Sequence, residues 1–135
     1  MDTIRDMIRT NPIPPRFAVG EELARCIEAC VECAAVCTAC ANACLNEEGV
    51  AALRDCIRTD LDCADVCAAT AAVLTRARDA DAALRALLEA CATSCARCAE
   101  ECDQHAGHHE HCRICAEACR RCRRACEDLL AVLSA

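Results

Sequence analysis

Apolar positions return along this chain at intervals of three and four residues, the spacing that lines one side of an α-helix. Charged and small polar residues fill the positions between. Residues 1–11 fit a short amphipathic helix with Ile4, Met7 and Ile8 on one side. Asn11-Pro12-Ile13-Pro14-Pro15 stops it, because proline removes a backbone donor and restricts the residue before it. A long helix then runs from about Glu21 to about Leu45 and ends in the turn Asn46-Glu47-Glu48-Gly49. A second covers roughly 50 to 76. Asp79 or Asp81 can cap a third, which reaches about Ala106 before Gly107. The fourth begins near His109 and finishes with Leu129, Leu130 and Leu133.

Four long helices joined by short loops predict an all-α fold, an up-down-up-down four-helix bundle with a short N-terminal helix. Residues 1–20 form that helix and a Pro-rich strap, and residues 21–135 form the bundle. The strap either packs on the outside of the bundle or docks on a neighbouring subunit. In this topology the turns at 46–49 and around 107 share one end, and the turn after residue 76 lies at the other. Leu74, Leu84, Leu87, Leu88, Leu129, Leu130 and Leu133 converge on the latter end as an apolar plug. The chain has no Trp or Tyr and a single Phe, Phe17. Nothing bulky holds the helices apart, so the bundle is narrow and filled by Ala and Cys.

The inward stripes are made of sulfur. The first long helix reads CIEACVECAAVCTACANAC, with Cys26, Cys30, Cys33, Cys37, Cys40 and Cys44 spread over a rise of roughly 27 Å. The second carries Cys56, Cys63 and Cys67, with Asp60 in the missing rung. The third carries Cys91, Cys95, Cys98 and Cys102, and the fourth Cys112, Cys115, Cys119, Cys122 and Cys126. Soluble helices normally place Leu, Ile or Val on such a face. One buried cysteine is a small hydrophobe and needs no further explanation. With 18 in phase, packing is a poor account, since larger aliphatics bury more apolar area per residue.

Composition narrows the chemistry. The net charge of −7 argues against a nucleic-acid partner, although all 15 basic residues are Arg. Arg113, Arg120, Arg121, Arg123 and Arg124 form a basic exterior on the last helix, explained by salt bridges to acidic neighbours or by a subunit contact. So many cysteines could be a secreted disulfide scaffold. The opening MDTIRDMIRTNPIPPRF shows no basic region, apolar run or cleavage site, however. Helical neighbours three or four apart also keep their Cβ atoms about 5–6 Å apart, farther than the ~3.8 Å of a disulfide. The expectation is a cytoplasmic protein with free thiols and no membrane span.

Thiolates favour Cu(I), zinc and iron–sulfur clusters. The loop spacings of iron–sulfur proteins are absent. A continuous helical ladder also offers no discrete tetrahedral group of four for structural zinc. Charge favours Cu(I): one monovalent ion per thiolate leaves the buried core nearly neutral, whereas zinc on four thiolates leaves about two negative charges. The expected load is roughly one Cu(I) per cysteine, on the order of 18 ions. All four histidines fall in HAGHHEH, residues 105–111. His105 and His109 continue the stripes outward from Cys102 and Cys112, and are candidate ligands for handing copper inward; His111 reads as a solvated surface residue. Zinc or cadmium sequestration and a thiol redox reservoir remain as alternatives. A metal-responsive regulator would need a DNA-reading element that the chain lacks, and no nucleophile is paired with a base as an enzyme would require.

Over residues 21–133 the chain resembles the cytosolic copper storage proteins, Cys-lined four-helix bundles of bacteria that hold many Cu(I) ions. The ladders C-x₃-C-x₂-C-x₃-C-x₂-C-x₃-C and C-x₂-C-x₃-C-x₂-C-x₃-C carry the resemblance. It implies a tetramer of bundles, the absence of an export signal, and histidines at the mouth, matching His105, His108, His109 and His111 as a group. Exported relatives carry methionines near the opening; Met1 and Met7 lie outside the bundle helices, which places this chain in the cytosolic branch. Asp60 departs from a pure thiol ladder. It is read as an oxygen ligand, a polar gate, or a solvated or hydrogen-bonded carboxyl group.

Overall fold

A computed structural model of the chain describes residues 2–17 and 20–134. Residues 18 and 19, at the end of the expected strap, and the two terminal residues lie outside the described set. Five helices follow in order: α1 (Asp2–Arg9), α2 (Gly20–Leu45), α3 (Arg54–Thr75), α4 (Ala82–Asp103) and α5 (Glu110–Leu133), and no strand occurs among the described residues. The second expected helix is divided. Val50–Leu53 form a 3-10 turn, and the α-helix proper starts at Arg54. The third ends at Asp103, earlier than expected, and its chain continues through turns to His109.

Local chemistry sets these limits. Gly20 opens α2 at φ 41°, a backbone angle that costs glycine little. Glu21 and Glu22 follow at the positive end of the helix dipole. Of the two cap candidates for α4, Asp81 serves: its carboxylate accepts the backbone N–H of Leu84 at 2.9 Å. His109 caps α5 in extended conformation, φ −136° and ψ 110°, without a side-chain cap bond.

Sulfur contacts trace the topology. Across α2 and α5, Cys26 meets Cys126 at 3.8 Å, Cys30 meets Cys122 at 3.7 Å, Cys33 meets Cys119 at 3.8 Å and Cys40 meets Cys112 at 4.0 Å. One number rises as the other falls, so the two helices are antiparallel. The same holds for α3 and α4, where Cys67 meets Cys91 at 3.9 Å and Cys56 meets Cys102 at 3.7 Å. The diagonal pair α2 and α4 runs parallel, with Cys30 by Cys91 and Cys37 by Cys98, both at 4.0 Å. The bundle is therefore up-down-up-down, and thin enough for thiols to touch across its diagonal.

The two ends differ. Leu23, Ile27, Leu74, Leu84, Leu88, Leu129 and Leu133 are buried at the end where α3 turns into α4. Leu87 and Leu130, expected in the plug, are only half-buried. The N-terminal segment lies on this end of its own bundle: Ile4, Ile8 and Phe17 pack on the core. Arg5 pairs with Glu21 and Glu28, each at 2.6 Å. At the opposite end Leu53, the last residue of the 3-10 turn, is buried, 1% exposed, so leucine is not confined to the plug.

The basic exterior of α5 is mostly paired within the chain. Arg113 bonds Glu110 and Glu117, Arg120 reaches Asp103 at 2.8 Å, Arg121 reaches Glu32 at 2.7 Å and Arg123 reaches Glu127 at 2.9 Å. Such exposed pairs are each worth about 0–1 kcal/mol. They explain the arginines without a polyanionic partner.

Candidate metal centre

All 18 cysteines are buried and free. Sulfurs in contact stand 3.6–4.0 Å apart, about twice the S–S bond length of ~2.04 Å. The column is one of thiols. Burial pushes thiols up, because a thiolate without a cation in an apolar core loses its hydration. Cys44, near the mouth, is pushed up to about 11, by burial first and then by Cys40 and Asp60. Cys112 beside it shifts in the same direction for the same leading reason. A cation that binds here must displace protons.

Ligand atoms gather in overlapping sets. Cys30, Cys91, Cys122 and Cys126 lie within 4.8 Å of one another; so do Cys33, Cys37, Cys63 and Cys119. Cys33 and Cys122 recur in a set with Cys67 and Cys95, and Cys37 and Cys119 in a set with Cys98 and Cys115. Neighbouring sets share sulfurs, which is the geometry of bridging thiolates. It contrasts with the closed, separate tetrahedra of structural zinc.

Asp60 occupies its rung with no exposed surface. Its Oδ1 accepts S–H bonds from Cys98 at 3.1 Å and from Cys102 and Cys115 at 3.4 Å, while Cys56 lies 4.0 Å from Oδ2. Burial, and after it the neighbouring Cys98 and Cys40, push the carboxyl up to about 10. Asp60 is thus a neutral, hydrogen-bonded acid inside the column and not a solvated side chain at its rim. Thr70, further along the same stripe of α3 beyond Cys67, is also buried and donates to the carbonyl of Val66 at 2.7 Å. Its hydroxyl is satisfied locally.

At the mouth, sequence and structure differ over which histidine meets sulfur. His105 bonds Glu101 at 2.9 Å through Nε2, and His109 lies 3.0 Å from Glu47 through Nδ1. His108 is exposed. His111, read from sequence as solvated, has Nδ1 3.4 Å from Cys40 Sγ and 3.6 Å from Cys112 Sγ. It completes a set with Cys40, Cys44 and Cys112. The signal was present: His111 stands four residues before Cys115, hence on the flank of the same stripe. Glu47, which binds His111 Nε2 at 2.9 Å, comes from the loop after α2 and has no periodic signature. Burial opposes the imidazolium of His111, but its bonds to Cys40 and Glu47 outweigh this and raise it overall.

A bundle whose core is a shared thiol column, closed by leucine at one end and fringed by imidazole at the other, defines a class of soft-metal-holding four-helix proteins. The sequence profile described as "Csp: Copper storage protein" matches residues 19–131. This chain belongs to the copper storage protein family. A structure of the copper storage protein Ccsp from Streptomyces lividans, loaded with 10 copper equivalents, is 60% identical with a TM-score of 0.92; the match covers 96% of this chain and 99% of that one. A second structure, of a cytosolic copper storage protein from Streptomyces lividans with five coppers, is 65% identical with a TM-score of 0.80, covering 82% and 93%. The Cu(I)-bound copper storage protein BsCsp3 is 34% identical with a TM-score of 0.72, covering 81% and 98%. Comparison with curated protein sequences gave no match.

Proposed function

We propose that this chain is a cytosolic store that holds Cu(I) on its core thiolates, at roughly one ion per cysteine and so on the order of 18 per chain. The observation that carries this is the overlap of the sulfur sets, since Cys33, Cys37, Cys119 and Cys122 each belong to two of them. Bridging sulfur lets monovalent ions fill the column while each replaces a proton, and the low-dielectric core stays near neutral charge. Copper-loaded relatives with this fold support the same reading. The description of one as cytosolic supports the location. No described helix is long and apolar enough to cross a membrane.

All 18 cysteines, with Asp60, His105 and His109, are the proposed metal-contacting set, and His111 joins them on its distances to Cys40 and Cys112. Copper enters at the histidine end, because the opposite end is closed by leucine. Residues 21–135 are the holding unit, with 1–20 as an accessory strap. The chain performs storage and no catalysis, and it assembles as a homotetramer.

Competition distinguishes this from zinc or cadmium sequestration. Reduced protein loaded with Cu(I) under nitrogen should keep its copper against excess Zn²⁺, and zinc-loaded protein should exchange fully for Cu(I). Retention of zinc against Cu(I) would overturn the copper assignment.

A further inference from the structure

Glu47 lies at the mouth between two histidines, its carboxylate turned to their rings. A single carboxylate oxygen, Oε2, is 2.9 Å from His111 Nε2 and 3.0 Å from His109 Nδ1. The acid is held below its ordinary range, first by the hydrogen bond from His111. A carboxylate only accepts, so the imidazole nitrogens facing it carry the protons. In the neutral His111 ring this leaves the lone pair on Nδ1, the atom 3.4 Å from Cys40 Sγ and 3.6 Å from Cys112 Sγ.

The backbone brings the second ring into the arrangement. Residues two apart on a helix do not face each other. His109 is extended at the cap position, however, and its ring stacks on that of His111 with centroids 5.5 Å apart and an interplanar angle of 27°. The shared oxygen and the stacked neighbour together restrict the tilt of His111.

We propose that Glu47 is the positioning residue of the mouth: it fixes the tautomer and direction of His111, so that Nδ1 can pass Cu(I) to Cys40, Cys44 and Cys112. Metal-binding imidazoles generally donate their second nitrogen to a carboxylate or carbonyl, and loss of that partner typically costs about 10–100-fold in affinity or activity. The role deepens the storage reading and rests on it.

Two readouts test it. Imidazole nitrogen NMR of the reduced, copper-free protein should show the proton of His111 on Nε2, and Glu47→Ala should give mixed tautomers. Glu47→Gln retains an acceptor oxygen and should keep the parental tautomer. In rapid mixing with a limiting amount of Cu(I), Glu47→Ala should load about 10–100-fold more slowly, with Glu47→Gln intermediate. Total copper held per chain and the thermal melt should match the parent in both variants, which separates positioning from structural damage. A parental loading rate in Glu47→Ala, or an unchanged His111 tautomer, would overturn the proposal. If the parent itself takes up no Cu(I), the storage reading fails, while the NMR comparison still decides whether Glu47 sets the ring.

Discussion

At Asp60 a group that water would ionise sits without exposed surface among four thiols. An uncompensated carboxylate there would be costly, so the acid keeps its proton, with its affinity raised from 3.8 to about 10 chiefly by burial. The consequence for stability has a definite sign. Between these two values the folded chain binds a proton that the unfolded chain releases. The copper-free fold therefore loses stability as pH rises through this window, by at most about 1.4 kcal/mol per pH unit. Asp60→Asn keeps an acceptor oxygen and removes the titration. In urea unfolding of reduced protein it should be more stable than the parent at about pH 7, with the difference vanishing near pH 4. A difference that stays constant with pH would mean that the carboxyl is ionised in the folded state.

Along α2 the inner positions are sulfur, while the outer ones lose their charge. No charged residue occurs from Cys33 to Asn46. Ala35, Ala39 and Asn42 are exposed, and Leu45 is 59% exposed. A helix that meets water normally carries charge on its outer face. This uncharged stretch suits the close approach of another copy of the bundle, and it supports the tetramer proposed above. Sedimentation of the parent should give a tetramer, and Ala39→Arg should shift it to smaller species while copper held per chain is unchanged. A monomeric parent would contradict the assembly.

Elements with a strong period were legible in the sequence at this scale. The thiol ladders of α2 and α5 repeat over many turns, and their phase predicts which residues are buried. Features set by loops were not legible. The 3-10 turn at Val50–Leu53 and the burial of Leu53 depend on how the loop folds over the mouth. The neighbours of His111 in sequence are those of a loop, although its spacing from Cys115 places it near sulfur. Glu47 meets His111 only because the turn after α2 and the start of α5 come together in space.

For the molecule as a whole, the fold is a sleeve that excludes water from sulfur. Copper is the cargo of the proposed store, and thiols from α2 and α4 come to contact distance across the axis, ready to share it. The leucine plug and the N-terminal segment cover one end, and the ion entry proposed above lies at the other. Central sulfurs such as Cys37 have several neighbours at 3.6–4.0 Å, so filling should be continuous and not divided into isolated sites. The most direct test is to titrate fully reduced protein anaerobically with Cu(I) against a competing chelator and count the ions retained. Tight uptake continuing to roughly one ion per cysteine, on the order of 18 per chain, is the predicted result. Saturation after a few ions, with most thiols still reactive once the chain is unfolded, would contradict storage along the whole column.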